Sequence, residues 1–135
     1  MGGMGMKRIG LIGAGNMGSA ILRGVIDAGY LKQNQIAVCD TSHRKMMELS
    51  EEMSGVIFCD SAADLAEQVD MIILAVKPHY IQGVIDEIRD HLQGKAVISI
   101  AAGWTVAMLA DALSGTGATY LRVMPNTPAM VGEGM

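Results

Sequence analysis

The rhythm of apolar and polar positions divides the chain into short apolar runs separated by stretches with helical spacing. Residues 9–12 are apolar and end at Gly13. The stretch 16–28 then sets Met17, Ile21, Val25 and Ala28 on one face of a helix that Gly29 stops. A second run, 36–40, precedes a helix over 42–53, in which Met46, Leu49 and Met53 recur at packing distance and the methionines read as core filler. A third run, 56–59, leads through Ser61, three positions before Asp64 as in a capping box, to a short helix ending near Gln68. The run at 71–76 is apolar throughout, as in a parallel strand buried on both faces, and Lys77-Pro78 closes it because proline cannot continue a ladder. Next come a helix over 79–92 with Ile81, Val84, Ile85, Ile88 and Leu92 turned inward, a strand over 96–100, a helix from Thr105 to Leu113 and a strand over 119–124. Strands and helices alternating at these lengths specify an α/β fold: a doubly wound, mostly parallel sheet with helices on both faces.

The junction of the first strand and first helix carries the clearest chemistry. Residues 9–18 read IGLIGAGNMG, and G-x-G-x-x-G between a strand and a helix is the arrangement that holds a dinucleotide in a Rossmann-type fold. Gly13 permits the turn, Gly15 lets the backbone approach a pyrophosphate, and Gly18 lets the helix pack against the strand. The unpaired amides at the helix start then face the ligand with partial positive charge. Asp40 ends the second strand, about twenty positions further on, where a carboxylate can accept hydrogen bonds from an adenosine ribose; capping the turn into the next helix is its plainer role. His43, Arg44 and Lys45 stand in the first turn of that helix, where positive charge opposes the dipole unless an anion is nearby. Ser42, Arg44 and Lys45 are therefore candidates for the 2′-phosphate of NADP, with a solvated charged turn as the alternative. Small side chains at Ala101, Ala102 and Gly103 leave room for a flat ring beyond the fifth strand.

Composition narrows the functions available. The 135 residues suffice for one domain with a real core, and half of them are apolar. A net charge of −4, from 10 basic and 14 acidic residues, provides no basic face for nucleic acid. No apolar run approaches the roughly 20 residues of a membrane span, and the first residues lack a signal pattern, so the expectation is a cytoplasmic protein without nucleic-acid or membrane partners. Residues 1–6 read as a tag or flexible arm, leaving 7–135 as the cofactor-binding domain. Cys39 and Cys59 read as small buried apolar groups, with no ligand spacing for a metal. His79 and His91 read as surface or capping groups, and no Ser-His-Asp or Cys-His order is present.

Four stretches together resemble the amino-terminal, dinucleotide-binding domain of the pyrroline-5-carboxylate reductases: IGAGNMG at 12–18, LAVKP at 74–78, SIAAG at 99–103 and RVMPNTPAMVGEGM at 122–135. The resemblance implies an oxidoreductase in which NADPH, or less often NADH, gives hydride to the C=N carbon of 1-pyrroline-5-carboxylate to form L-proline. It implies that Ile12, Gly13, Ala14, Gly15, Asn16 and Met17 cradle the pyrophosphate, with Gly18 completing the cofactor-binding turn. Ala75, Val76, Lys77 and Pro78 would lie along the nicotinamide ribose, and Ile100, Ala101 and Ala102 would border the nicotinamide ring. Met124, Pro125, Asn126, Thr127 and Pro128 would shape the cofactor end of the substrate cleft. NADP(H) is favoured on the family's habit, and NAD(H) remains possible because Asp40 repels a 2′-phosphate. No catalytic residue is assigned: Lys77 suits ribose or backbone oxygens better than imine protonation. Family members carry a helical carboxyl-terminal domain that forms the dimer and supplies most substrate contacts. Nothing here corresponds to it, so the chain reads as a fragment of a homo-oligomeric two-domain enzyme. Such a fragment should bind cofactor with little turnover and show an apolar patch near its carboxyl end. The alternatives are an NAD(P) domain of the 3-hydroxy acid dehydrogenase type and a non-catalytic nucleotide-sensing module.

Overall fold

The computed structural model describes residues 8–123, so the expected arm at 1–6 and the segment from Met124 to Pro128 lie outside the described residues. Six parallel strands form one sheet: β1 (Ile9–Ile12), β2 (Ile36–Cys39), β3 (Ile57–Phe58), β4 (Met71–Leu74), β5 (Ala96–Ser99) and β6 (Thr119–Arg122). Their order is β3-β2-β1-β4-β5-β6. Helices α1 (Asn16–Asp27), α2 (His43–Glu52), α3 (Ala62–Gln68), α4 (Pro78–Ile88) and α5 (Val106–Ala112) form the crossovers. This is the doubly wound, Rossmann-type α/β fold expected from the alternation of patterns. The chain winds outward from β1 through β2 to β3 and returns to lay β4 against the other side of β1. The crossovers therefore part at the carboxyl ends of β1 and β4, which opens a crevice there.

The period-2 alternation of each strand divides the core between the two faces of the sheet. Ile72 and Leu74 of β4 join Ile12, Leu65, Ile81, Ile85 and Leu109 on one face, while Ile73 joins Leu11, Leu22, Val38 and Leu49 on the other. Local signals place the helix starts. The Ser61 hydroxyl accepts from the Asp64 amide at 3.1 Å, the Thr105 hydroxyl from the Met108 amide at 3.1 Å, and Pro78 occupies the first turn of α4 with Lys77 as its cap. Ser61→Ala should cost about 1 kcal/mol in urea unfolding, the usual worth of such a cap.

Several boundaries and faces differ from the pattern-based expectation. β4 stops at Leu74 rather than Val76: the Ala75 amide still donates to the Ile12 carbonyl at 2.8 Å, and the chain then turns over the sheet edge. β2 stops at Cys39 and β6 at Arg122, and α2 starts at His43 because Ser42 is its cap. Of the expected face of α1, Ile21 packs against the core, but Met17 and Ala28 are exposed and the deepest row runs elsewhere. Met17 is 39% exposed, whereas Gly18 and Leu22 are buried and Ile26 is half-buried, a row at i, i+4 and i+8 that docks through its glycine. In α2, Leu49 and Met53 are buried as expected, but Met47 is 64% exposed and is not core filler. In α4 and the turn after it, Ile81, Ile85, Ile88 and Leu92 are fully buried. Val106, Met108, Tyr120, Leu121 and Val123 are exposed apolar side chains on and just beyond the last described elements, α5 and β6. No helix among the described residues is long and apolar enough to cross a membrane.

Candidate functional site

The three glycines of the first turn do three different jobs. Gly13 has φ +103°, its amide donates to the Cys39 carbonyl at 2.9 Å, and a Cβ there would stand 2.8 Å from the carbonyl carbon and oxygen of Ala75. A Cβ on Gly18 would stand 2.4 Å from the carbonyl oxygen of Gly13, so the helix can approach the strand only without one. A Cβ on Gly15 would meet nothing within 4 Å, and the turn there is open. Gly15 also caps α1 without a side-chain hydrogen bond, and no acidic residue occupies the first turn. The first-turn amides of this 12-residue helix are thus left for an anion. Asn16 and Met17 open that helix; the Asn16 side chain is not among the described groups.

A cavity of about 810 Å³ lies at the switch point, within the size range of cofactor sites. The glycine turn contributes Ile12, Gly13, Gly15 and Met17; the end of β2 and the start of α2 contribute Cys39, Asp40, Thr41, Ser42 and Lys45; the end of β4 contributes Ala75, Val76 and Lys77. The far wall holds Asp60, Ser61, His79, Tyr80 and Glu87. A second cavity, of about 540 Å³, lies between α1 and α2 and is lined by Ala14, Gly15, Arg23, Arg44, Lys45, Glu48 and Glu52. Of its cations, Arg23 is engaged by Glu52 through two bonds of 2.7 and 2.9 Å, which raise the guanidinium's pKa and hold Glu52 below the usual carboxylate range. Arg44 stands 3.9 Å from Glu48 on the exposed face of α2. Lys45 forms no ion pair among the described residues and lines both cavities.

Asp40 is placed differently from a free ribose acceptor. One carboxylate oxygen accepts the Ala14 amide at 2.6 Å and the other the Ser42 amide at 2.7 Å. The side chain thus caps its own turn and also ties β2 to the glycine turn across 26 residues of sequence. Ser42 caps α2 by accepting from the Lys45 amide at 3.3 Å.

Not every candidate residue enters the cavity. Gly18 lies behind the turn, Pro78 heads α4, and Ile100, Ala101 and Ala102 stand beyond β5 at the same edge of the sheet but outside the cavity lining. Ala101 packs in the core and Ala102 is exposed. Trp104, which the pattern of motifs did not single out, joins this loop to the site: it is buried, and its indole N–H donates to the Pro78 carbonyl at 2.9 Å. A lone tryptophan directly after Gly103, itself at φ +87°, was the available signal. Trp104→Phe keeps most of the packing and loses the bond, so it should lower stability in thermal unfolding by about 1 kcal/mol. His79 is exposed, as expected, and stands beside Tyr80 with ring centroids 4.2 Å apart where both line the cavity.

Known proteins are similar to this chain in sequence and fold. Residues 8–103 match the family model described as NADP oxidoreductase, coenzyme F420-dependent. The chain is 44% identical over 130 residues to a pyrroline-5-carboxylate reductase of Escherichia coli, an alignment covering 96% of this chain and 48% of that protein. A solved pyrroline-5-carboxylate reductase from Coxiella burnetii aligns with TM-score 0.83 at 36% identity, over 94% of this chain and 47% of that one. The pyrroline carboxylate reductase of Plasmodium falciparum, solved with NADP bound, aligns with TM-score 0.76 at 30% identity, over 95% and 46%. The chain spans about half the length of the relatives it matches.

Proposed function

This chain belongs to the NADP oxidoreductase, coenzyme F420-dependent family, and on that premise we propose that it is the cofactor-binding half of an enzyme that reduces 1-pyrroline-5-carboxylate to L-proline with NADPH. The observation that carries this reading is the open Gly15 turn heading an uncapped helix beside a cavity of dinucleotide size. The similarity to pyrroline-5-carboxylate reductases over nearly the whole chain supports the substrate.

When bound, the reduced nicotinamide supplies the hydride for the imine carbon. The protein's part is placement. The amides opening α1 hold the diphosphate, and Ala75, Val76 and Lys77 run along the ribose of the nicotinamide half. Trp104 holds the loop after β5 against the start of α4, at the sheet edge where the exposed Ala102 would border the ring while Ala101 packs beneath in the core. Met124 to Pro128 keep the role the family resemblance implies, at the cofactor end of the substrate cleft. Most substrate contacts and the subunit pairing would fall to the half of the relatives' length that this chain does not match. The reading includes a cytoplasmic location and no nucleic-acid or membrane partner.

NADP is favoured over NAD by two features of the site. Arg44 and Lys45 carry charge at the cavity where a 2′-phosphate would lie, and each oxygen of Asp40 already accepts a backbone amide, which weakens its pull on ribose hydroxyls. A titration of the purified chain should detect NADPH binding more tightly than NADH; silence toward both would overturn the proposal. In Arg44→Ala/Lys45→Ala, NADPH affinity should fall about tenfold, or about 1.4 kcal/mol, with NADH little changed. An equal loss for both cofactors would remove the pair from the 2′-phosphate site.

A further inference from the structure

Cys39 and Cys59, distant in sequence, are neighbours in the sheet. β2 and β3 pair in parallel with Ala37 opposite Ile57 and Val38 opposite Phe58. The Cys59 amide donates to the Val38 carbonyl at 2.9 Å, so the ladder continues one residue beyond β3 and sets Cys39 opposite Cys59. Both side chains belong to the same buried cluster as Ala37, two residues earlier on β2, so they project from the same face of the sheet. Opposed residues on neighbouring strands are about 4.8 Å apart, inside the range of roughly 4.4–6.8 Å between the Cα atoms of a disulfide. Both thiols are free, and Cys39, 8% exposed, lines the large cavity, which provides a path for a small oxidant.

We propose that Cys39 and Cys59 are an oxidisable pair whose disulfide forms in the floor of the dinucleotide cleft. With a hydroperoxide, one thiolate attacks the O–O bond, releasing an alcohol or water and leaving a sulfenic acid. The second thiol displaces the hydroxyl as water, so two protons and two electrons leave the sulfurs and one S–S bond forms. With diamide, the azo group takes up the same two electrons and two protons. The surroundings set the pace. Burial, then Cys59, Glu87 of α4, Asp40 and Asp60 push the Cys39 thiol up to about 11; burial, Asp64 of α3 and Asp60 push Cys59 up, with the Gln68 amide 3.7 Å from its sulfur. The pair is therefore slow at neutral pH, and its oxidation should quicken roughly a hundredfold from pH 7 to pH 9 as the thiolate fraction grows.

The chain is treated with diamide at pH 8.5, then alkylated in denaturant and weighed. The expected product has lost two hydrogens, about 2 Da, takes up no alkylating reagent, yields a peptide joining Cys39 to Cys59, and reverts with dithiothreitol. Two thiols that still alkylate, or a bridge between two chains, would overturn the proposal. A second arm repeats the oxidation with saturating NADPH, whose placement over Cys39 rests on the proposed function; the expected result is about tenfold slower bridging. Unchanged bridging while NADPH binds would refute the placement of the pair in the cleft. Failure of NADPH to bind at all would refute the proposed function and leave the disulfide result standing by itself.

Discussion

Gly18→Ala should lose about 2–3 kcal/mol of stability and at least tenfold in NADPH affinity, although alanine is the better helix former by about 1 kcal/mol. The new methyl group would sit 2.4 Å from the Gly13 carbonyl oxygen, with Leu11 Cδ2 at 3.2 Å and Ala75 Cβ at 3.3 Å. The nearest obstacle is backbone, and it is the backbone of the turn that would hold the diphosphate. Relief requires either α1 to back away from β1 or the turn to reshape, and both disturb the amides at the helix start. Gly24→Ala in the same helix is the matched control. Nothing lies within 4 Å of its Cβ, so propensity alone acts and stability should rise by about 0.5–1 kcal/mol. Urea unfolding of the two variants, with a cofactor titration of each, checks both signs. Equal gains would show that α1 does not dock through Gly18.

Asp40→Ala should cost about 2–3 kcal/mol and weaken NADPH and NADH in the same proportion. Its carboxylate satisfies the Ala14 and Ser42 amides at 2.6 and 2.7 Å, and removing it leaves two partly buried donors without acceptors. The Ala14 amide belongs to the glycine turn, so the loss reaches the diphosphate, which both cofactors share. A direct bond from Asp40 to the adenosine ribose makes a different prediction: NADH, with a free 2′-hydroxyl, would lose far more than NADPH. The ratio of the two dissociation constants before and after the substitution separates the roles. Asp40→Asn, which keeps one acceptor oxygen, should retain about half the stability lost by alanine.

The parts of this site that were legible in the sequence are those whose physics is local. Gly13 and Gly18 have no freedom to be other residues because atoms only a few positions away, or on the adjoining strand end, fill the space of a Cβ. Ser61, Thr105 and Pro78 mark helix starts through bonds, or the absence of one, inside a single turn. The apolar run at 71–76 announces a central strand because both of its faces are covered. By contrast, the face that α1 buries follows from how near Gly18 brings the helix to β1, and so the apparent stripe through Met17 and Val25 misleads. Trp104 acts on the carbonyl of Pro78 across two crossovers, and Asp40 on an amide of the first turn; neither partner is marked in the linear pattern.

By itself, then, the sequence determined the order of strands and helices, the glycine turn and the class of ligand it suits, because these depend on side-chain period and backbone sterics over a few residues. Only the tertiary structure decided which of the marked residues share a cavity, that Asp40 spends its oxygens on amides, and that Cys39 faces Cys59. Those outcomes depend on strand register and helix approach, which place residues from distant stretches within a few ångströms of one another.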